Sequence, residues 1–215
     1  MKIVAVILAI HLIFSCNKKP DEIKTAPESS VAKEERRPEI PVSEMADKAE
    51  KALQFCISKK LSTDFCILID MSLHSGIKRF FVWDFKTKSV SKMYLVGHGC
   101  GINPWSSDGS KSNPKFSNED GSHLSSLGKY KLQGRGQSEW GIHIKYLMHG
   151  LEETNSNALK RYIVFHSWDR MSDDEVFPKG SPEGWGCPTV SNKAMKEIDP
   201  MIQKAGKPVL MWIYQ

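Results

Sequence analysis

The chain of 215 residues is 40% hydrophobic and 26% charged, enough apolar surface for one packed domain, which excludes wholesale disorder. A formal net charge of +5 suits a polyanionic surface without demanding nucleic acid, and no nucleic acid is expected as a partner. No run of about 18 apolar residues encodes an ordinary transmembrane helix, and the five cysteines contain no C-x-x-C pair, which excludes a zinc ribbon or thioredoxin-type motif.

Met1-Lys2 is a short positive start, followed by an apolar run over residues 3–14 broken only by His11. Ser15-Cys16 and then Asn17-Lys18-Lys19-Pro20 end it abruptly. This is the form of a secretory signal, expected over residues 1–15. The quartet Ile13-Phe14-Ser15-Cys16 resembles a bacterial lipobox, with Cys16 as the first mature residue and the site of lipidation. Lipid chains on Cys16 would hold an exported protein on a membrane leaflet, facing the periplasm or cell wall. Residues 16–42 carry Pro20, Pro27, Pro38 and Pro41, charges of both signs and few large apolar residues, the composition of a flexible tether. At roughly 3 Å per residue it would reach tens of ångströms.

The folded domain is expected over residues 43–215. Ser43 reads as the N-cap of a helix whose Met45, Ala49, Ala52, Leu53 and Cys56 share one face. Strands follow at 65–71, 79–85 and 89–96, the last two joined by a hairpin at Lys86-Thr87-Lys88. Residues 97–121, rich in Gly, Ser, Asn, Asp and Pro, form a long loop of the functional kind. Further strands are read at 128–132, 141–148, 162–165 and 208–214, with a helix from Ser191 that Pro200 ends or kinks. Phe80, Phe81, Trp83 and Trp212 are expected in the core, and Arg135 at an exposed hairpin tip. The fold class is mostly β, a sandwich or barrel, with a few peripheral α-helices. Cys56 and Cys66 either bridge, closing a small loop, or sit as small buried hydrophobes. Cys100 is expected to be free.

The densest chemical signal joins Val164-Phe165-His166-Ser167 to Gly184-Trp185-Gly186-Cys187-Pro188-Thr189-Val190-Ser191. A cysteine nucleophile needs a base or a positive helix end to form its thiolate, and backbone N–H groups aimed at the developing oxyanion. Gly184 and Gly186 allow close backbone approach. Cys187 precedes the N-terminus of the Ser191 helix, whose dipole favours an anion. His166, at a strand end, can hold a proton near neutral pH. His98, His123, His143 and His149 show no metal-ligand spacing, so no metal is expected. His98 and His149 are read as hydrogen-bonded groups that order the loops.

At these residues the chain resembles the L,D-transpeptidase catalytic domain family (YkuD-like), in particular its murein transpeptidase branch. His166 stands 21 residues before Cys187. The branch's further motifs appear in order as His98-Gly99, Phe116-Ser117-Asn118, Ser125-Ser126-Leu127-Gly128, His149-Gly150-Leu151-Glu152 and Trp185-Gly186-Cys187-Pro188. The resemblance covers residues 65–215. The chain departs from the family's common form at Gly184-Trp185, in place of Ser-His, at Thr189, in place of Arg or Asn, and at Ser167, in place of Gly.

The resemblance implies a β-sandwich or barrel-like fold and a Cys187–His166 site that forms cross-links between peptidoglycan stem peptides through a thioester. It implies an oxyanion hole at Gly186 and Cys187 and no cofactor. Gly184, Trp185 and Ser167 are read as the possible substrate groove. The expected partners are stem peptides and a membrane reached through the lipid anchor, with the protein a monomer. Two other readings stand beside this one: an L,D-carboxypeptidase or other cell-wall cysteine hydrolase, and a non-catalytic wall-binding lipoprotein.

Overall fold

A computed structural model describes residues 36–215. These residues belong to one compact unit. It therefore takes in residues ahead of Ser43: Arg37 makes two 2.7 Å bonds to the Glu175 carboxylate, and Ile40 packs on the core. The readings for Cys16 and the signal segment lie outside the described residues.

The first helix, α1, is Val42–Lys59. Pro41 holds the N-cap position and no side chain caps the first turn, so Ser43 lies inside the helix rather than at its cap. Proline supplies a helix-compatible φ ahead of the first turn, and its carbonyl accepts from the Met45 amide. Met45, Ala49, Ala52 and Cys56 form the buried stripe. Lys60, in the left-handed conformation, closes the helix.

Eight strands follow: β1 Phe65–Asp70, β2 Phe80–Asp84, β3 Ser89–Tyr94, β4 Gly128–Gln137, β5 Ile144–Gly150, β6 Val164–Ser167, β7 Thr189–Val190 and β8 Val209–Tyr214. They form one mixed sheet in the order β3-β2-β1-β8-β4-β5-β6-β7. The two ends of that order approach each other, because Gly97, just beyond β3, bridges Thr189 of β7. The sheet is thus nearly closed, barrel-like and mostly β, with α1 and the second helix, α2 (Asn192–Lys204), packed against it.

Strand alternation assigns the two faces. Phe65, Ile67 and Ile69 of β1, Phe80 and Val82 of β2, and Val209, Met211 and Ile213 of β8 pack with Ala194, Met195, Ile198 and Ile202 of α2. Their alternates Cys66, Leu68, Phe81, Trp83 and Leu210 pack with the α1 stripe, and Trp212 lies against the same cluster. Burial on both faces explains why β1 reads as an unbroken apolar run. Cys56 and Cys66 share the α1 cluster as unbridged thiols, and burial pushes the Cys56 thiol up to about 12.

Three local readings are corrected. β4 runs on to Gln137, and a bulge between Gln133 and Arg135 carries it past Gly134. Arg135 is therefore not a hairpin tip; its guanidinium bonds Asp199 of α2 at 2.7 and 3.0 Å, which ties that helix to the sheet. Pro200 stands inside α2 without ending it. It lies on the exposed face, where the Lys196 carbonyl deprived of its N–H partner can meet water.

Candidate active site

β6 presents His166 opposite Lys145 of β5 on one side and Thr189 of β7 on the other. The chain then runs out through Trp168 and returns as the Gly184–Pro188 segment that feeds β7. These two sheet neighbours bring His166 and Cys187 to the same place, and both line two adjoining clefts. One cleft, about 120 Å³, is walled by Trp105, Trp140, Trp168 and Trp185 with Gly184 and Thr189. The other, about 710 Å³, mixes polar and apolar surface and is lined by Glu139, His143, Lys145 and Tyr162 among others.

His166 is 7% exposed. Its Nδ1 lies 2.9 Å from the Ser167 carbonyl. A carbonyl only accepts, so Nδ1 carries the proton and Nε2 is left with its lone pair free to act as a base. Burial lowers the imidazole's pKa; the Ser167 carbonyl opposes that effect and the Lys145 cation adds to it. Half-buried Cys187 accepts at Sγ from the Val164 amide at 3.4 Å, and its Sγ lies 3.8 Å from the Tyr162 carbonyl. Burial raises its thiol pKa, against the Val164 amide and the Arg161 and Lys145 cations. The resting pair near neutral pH is thus a thiol and a neutral imidazole.

Gly186 has φ +102°, and a Cβ there would stand 2.6 Å from the Leu124 carbonyl oxygen, so the position requires glycine. Among the described residues no acceptor meets the Gly186 and Cys187 amides. The arrangement supplies a base, a thiol and free backbone donors beside two clefts, the parts of nucleophilic acyl transfer.

The sequence profile of the L,D-transpeptidase catalytic domain family matches residues 38–214. The chain belongs to the L,D-transpeptidase catalytic domain family. No curated protein matches it in sequence. Solved structures align with it at low identity. The helical cell shape determining protein Pgp2 of Campylobacter jejuni aligns at TM-score 0.45 and 12% identity, over 76% of this chain and 55% of that one. Bd1075 of Bdellovibrio bacteriovorus aligns at 0.41 and 18%, over 73% and 49%. An L,D-transpeptidase of Xylanimonas cellulosilytica aligns at 0.37 and 12%, over 75% and 68%. The chain thus spans about half the length of the first two.

In this L,D-transpeptidase domain, Gly184, Trp185, His166 and Cys187 meet at the Trp-walled cleft. Trp185 is 61% exposed and stacks on His123 at 5.1 Å between ring centroids. Ser167 does not reach the groove. It is fully buried, and its hydroxyl accepts from the Ile142 amide, so it holds the turn that carries Trp140. The α2 N-terminus does not follow directly on Cys187 either. β7 intervenes, and the helix start is occupied by its own cap: Ser191 accepts from the Ala194 amide and donates to Asp173, while Asn192 bonds Asp169. Cys100 is a buried free thiol that lines a hollow with Leu124 and neither of the two clefts at Cys187. His149 lies half-buried on β5 opposite Lys131.

His98 does order the long loop, through a network that sequence reasoning missed. Fully buried Arg79 donates to the Leu73 and Val96 carbonyls and, at 2.8 Å, to His98 Nδ1. Guanidinium only donates, so His98 must carry its proton on Nε2, which reaches Ser110 Oγ at 2.6 Å. Ser110 in turn donates to the buried Glu183 carboxylate through its hydroxyl at 2.7 Å and its amide at 2.6 Å. Every bond in this chain points from the buried cation to the buried anion. Burial and the Arg79 charge hold the His98 pKa well below its ordinary value. The network sits beneath loop 97–121 and next to Gly184, whose amide donates to the His98 carbonyl.

The Trp105–Trp168 and Trp105–Trp140 pairs, at 5.0 and 6.1 Å, were also missed. Each tryptophan comes from a different segment, so no spacing in the sequence marks the box they form.

Proposed function

We propose that this protein is a peptidoglycan L,D-transpeptidase acting through Cys187 and His166. The observation that carries the reading is that His166, with Nε2 free to accept a proton, and Cys187 share the wall between two clefts. Two clefts meeting at one thiol suit two substrates taken in turn, an acyl donor and an amine acceptor. The family match over most of the domain supports stem peptides as those substrates.

His166 Nε2 takes the Cys187 thiol proton as the sulfur attacks the carbonyl of the L-centre of diaminopimelate in a tetrapeptide stem. The Cys187 and Gly186 N–H groups hold the oxyanion. Collapse breaks the amide bond, and the departing D-alanine amine leaves with the proton from His166. The thioester then meets an amine of a second stem, His166 takes that amine's proton, and the thiol is restored with a cross-link formed. Water in place of the amine gives the hydrolysis product. Mass spectrometry of tetrapeptide muropeptides incubated with the purified protein tests the reading. Cross-linked dimer supports it, tripeptide alone makes the protein an L,D-carboxypeptidase, and unchanged substrate removes catalysis on this substrate.

The resting thiol–imidazole pair makes a pH prediction. A base works only when unprotonated, and burial lowers the His166 pKa from its ordinary 6.5. The acid limb of kcat/KM is therefore expected with its midpoint below pH 6.5, and a midpoint above that value overturns the assignment. His166→Ala should reduce kcat by on the order of 10²-fold or more.

We further propose that the mature protein begins at Cys16 and is held on a membrane through lipid chains there, facing the periplasm or cell wall, with the residues that precede the folded unit as tether. The signal form and the lipobox resemblance support this. A palmitate label should appear on the exported protein and vanish in Cys16→Ala; a labelled Cys16→Ala variant would refute the anchor.

A further inference from the structure

The Ser125-Ser126-Leu127-Gly128 motif has no part in the chemistry described so far, yet its first serine touches the nucleophile's own peptide. Ser125 is 1% exposed. Its Oγ accepts from the Gly99 amide at 3.1 Å and lies 3.0 Å from the Gly186 carbonyl oxygen. An amide can only donate and a carbonyl can only accept, so the direction is fixed. The Gly99 N–H fills a serine lone pair and the serine O–H goes to Gly186.

Gly186 C=O belongs to the same peptide unit as Cys187 N–H. That unit is trans, because the one cis bond among the described residues is Phe177–Pro178. In a trans peptide the carbonyl and the N–H point in opposite directions across the plane. Fixing the carbonyl toward Ser125 therefore turns the Cys187 N–H to the other side, where it meets no acceptor among the described residues. The φ of +102° at Gly186 and its tight approach to Leu124 belong to the same arrangement.

The segment that carries Ser125 is itself tied down by hydrogen bonds. Arg161 donates to the Leu124 and Ser117 carbonyls at 2.6 and 2.8 Å and to Ser126 Oγ at 2.7 Å. Phe116 and Ser125 form a bridge.

We propose that Ser125 is a positioning residue: ordered by the Gly99 amide, its hydroxyl locks the Gly186–Cys187 peptide so that the Cys187 N–H stays aimed at the oxyanion of acyl transfer. This rests on the acyl-transfer reading above. Ser125 touches no substrate. It acts through the orientation of a backbone donor, and without it that peptide is free to rotate its donor off the oxyanion.

The test compares two reagents at Cys187 in the full chain, read by mass spectrometry of the modified peptide. Acylation by p-nitrophenyl acetate passes through an oxyanion, whereas alkylation by iodoacetamide does not. In Ser125→Ala the acylation rate should fall about 10-fold or more, on the scale of a weakened oxyanion donor, while alkylation stays within about twofold. On tetrapeptide, kcat should fall with KM nearly unchanged. Ser125→Cys, which keeps a weak donor of similar size, should lie between the two and carries the comparison if Ser125→Ala does not fold. Unchanged acylation, or equal losses with both reagents, overturns the proposal. So does a wild-type protein that iodoacetamide alkylates but the ester never acylates. A wild type that the ester acylates but that leaves tetrapeptide unchanged refutes the transpeptidase reading, and the ratio between the two reagents still decides the role of Ser125.

Discussion

Cys187→Ala is expected to abolish acyl-enzyme formation on tetrapeptide stems, a loss on the order of 10⁴-fold or more, because it removes the one thiol that lines both clefts with His166 among the described residues. The fold should survive the change. Cys187 is half-buried in the Gly184–Pro188 segment, and its sulfur accepts one long bond from the Val164 amide. Replacing it removes a single modest interaction and opens onto two existing clefts rather than leaving a sealed void. Thermal unfolding should therefore shift by no more than a few degrees. Cys187→Ser should also be inactive, since a hydroxyl ionises far less readily than a thiol and the imidazole beside it is a weakened base. The measurement is intact-mass detection of the acylated protein with the unfolding midpoint recorded in parallel. Retained transpeptidation in Cys187→Ala would end the assignment.

Arg79→Met should cause the largest loss of stability, about 3–5 kcal/mol, or a fall of roughly 6–20 °C in the unfolding midpoint. Arg79 is completely buried, and burial lowers its pKa to about 9 even though Asp70 and Glu183 favour the cation. The charge is kept because each of its neighbours is arranged around it. His98 is locked in one tautomer, Ser110 is oriented by His98, and Glu183 lies fully buried at the far end. Methionine fills much of the volume but leaves the carboxylate without its counter-charge and two carbonyls without their donor. Adding Glu183→Gln to Arg79→Met should recover part of the loss, because the orphaned charge is then gone. Additive losses in that cycle would show that the two charges do not act through the relay. Because Glu183 immediately precedes Gly184 of the cleft, the single variant should also lose activity below its melting range.

The candidate residues were legible in the sequence where the signal is local. His166 ends a strand whose apolar pattern is plain, and Cys187 stands in a glycine-rich segment just ahead of a capped helix. Ser191 is that cap, accepting from the Ala194 amide. Ser43 failed as a cap because the helix begins ahead of it at Val42, with Pro41 in the N-cap position. β7, of two residues, is too short to show any periodicity. The extension of β4 past Gly134 is hidden by glycines that read as a turn but serve as a bulge. Ser167 was legible as a polar neighbour of His166, and only alternation along β6 turned it into the interior.

The sequence by itself determined most of the strands, the two helices and their buried faces, because these follow from alternation and spacing, which act over a few neighbouring residues. That is why β1, β2 and β8 each divide cleanly between the two cores. What only the tertiary structure decided are the contacts between distant segments. Arg79 is joined to Glu183 through His98 and Ser110, Arg135 finds Asp199, and Ser125 finds Gly186, over intervals of 61 to 104 residues. A buried charge or an unpaired carbonyl must be met by whatever group the closed sheet brings within about 3 Å, and no local rule names that group. The tryptophan wall and the aim of the Cys187 amide have the same origin: both exist only once β3 and β7 meet and the long loop is folded down over them.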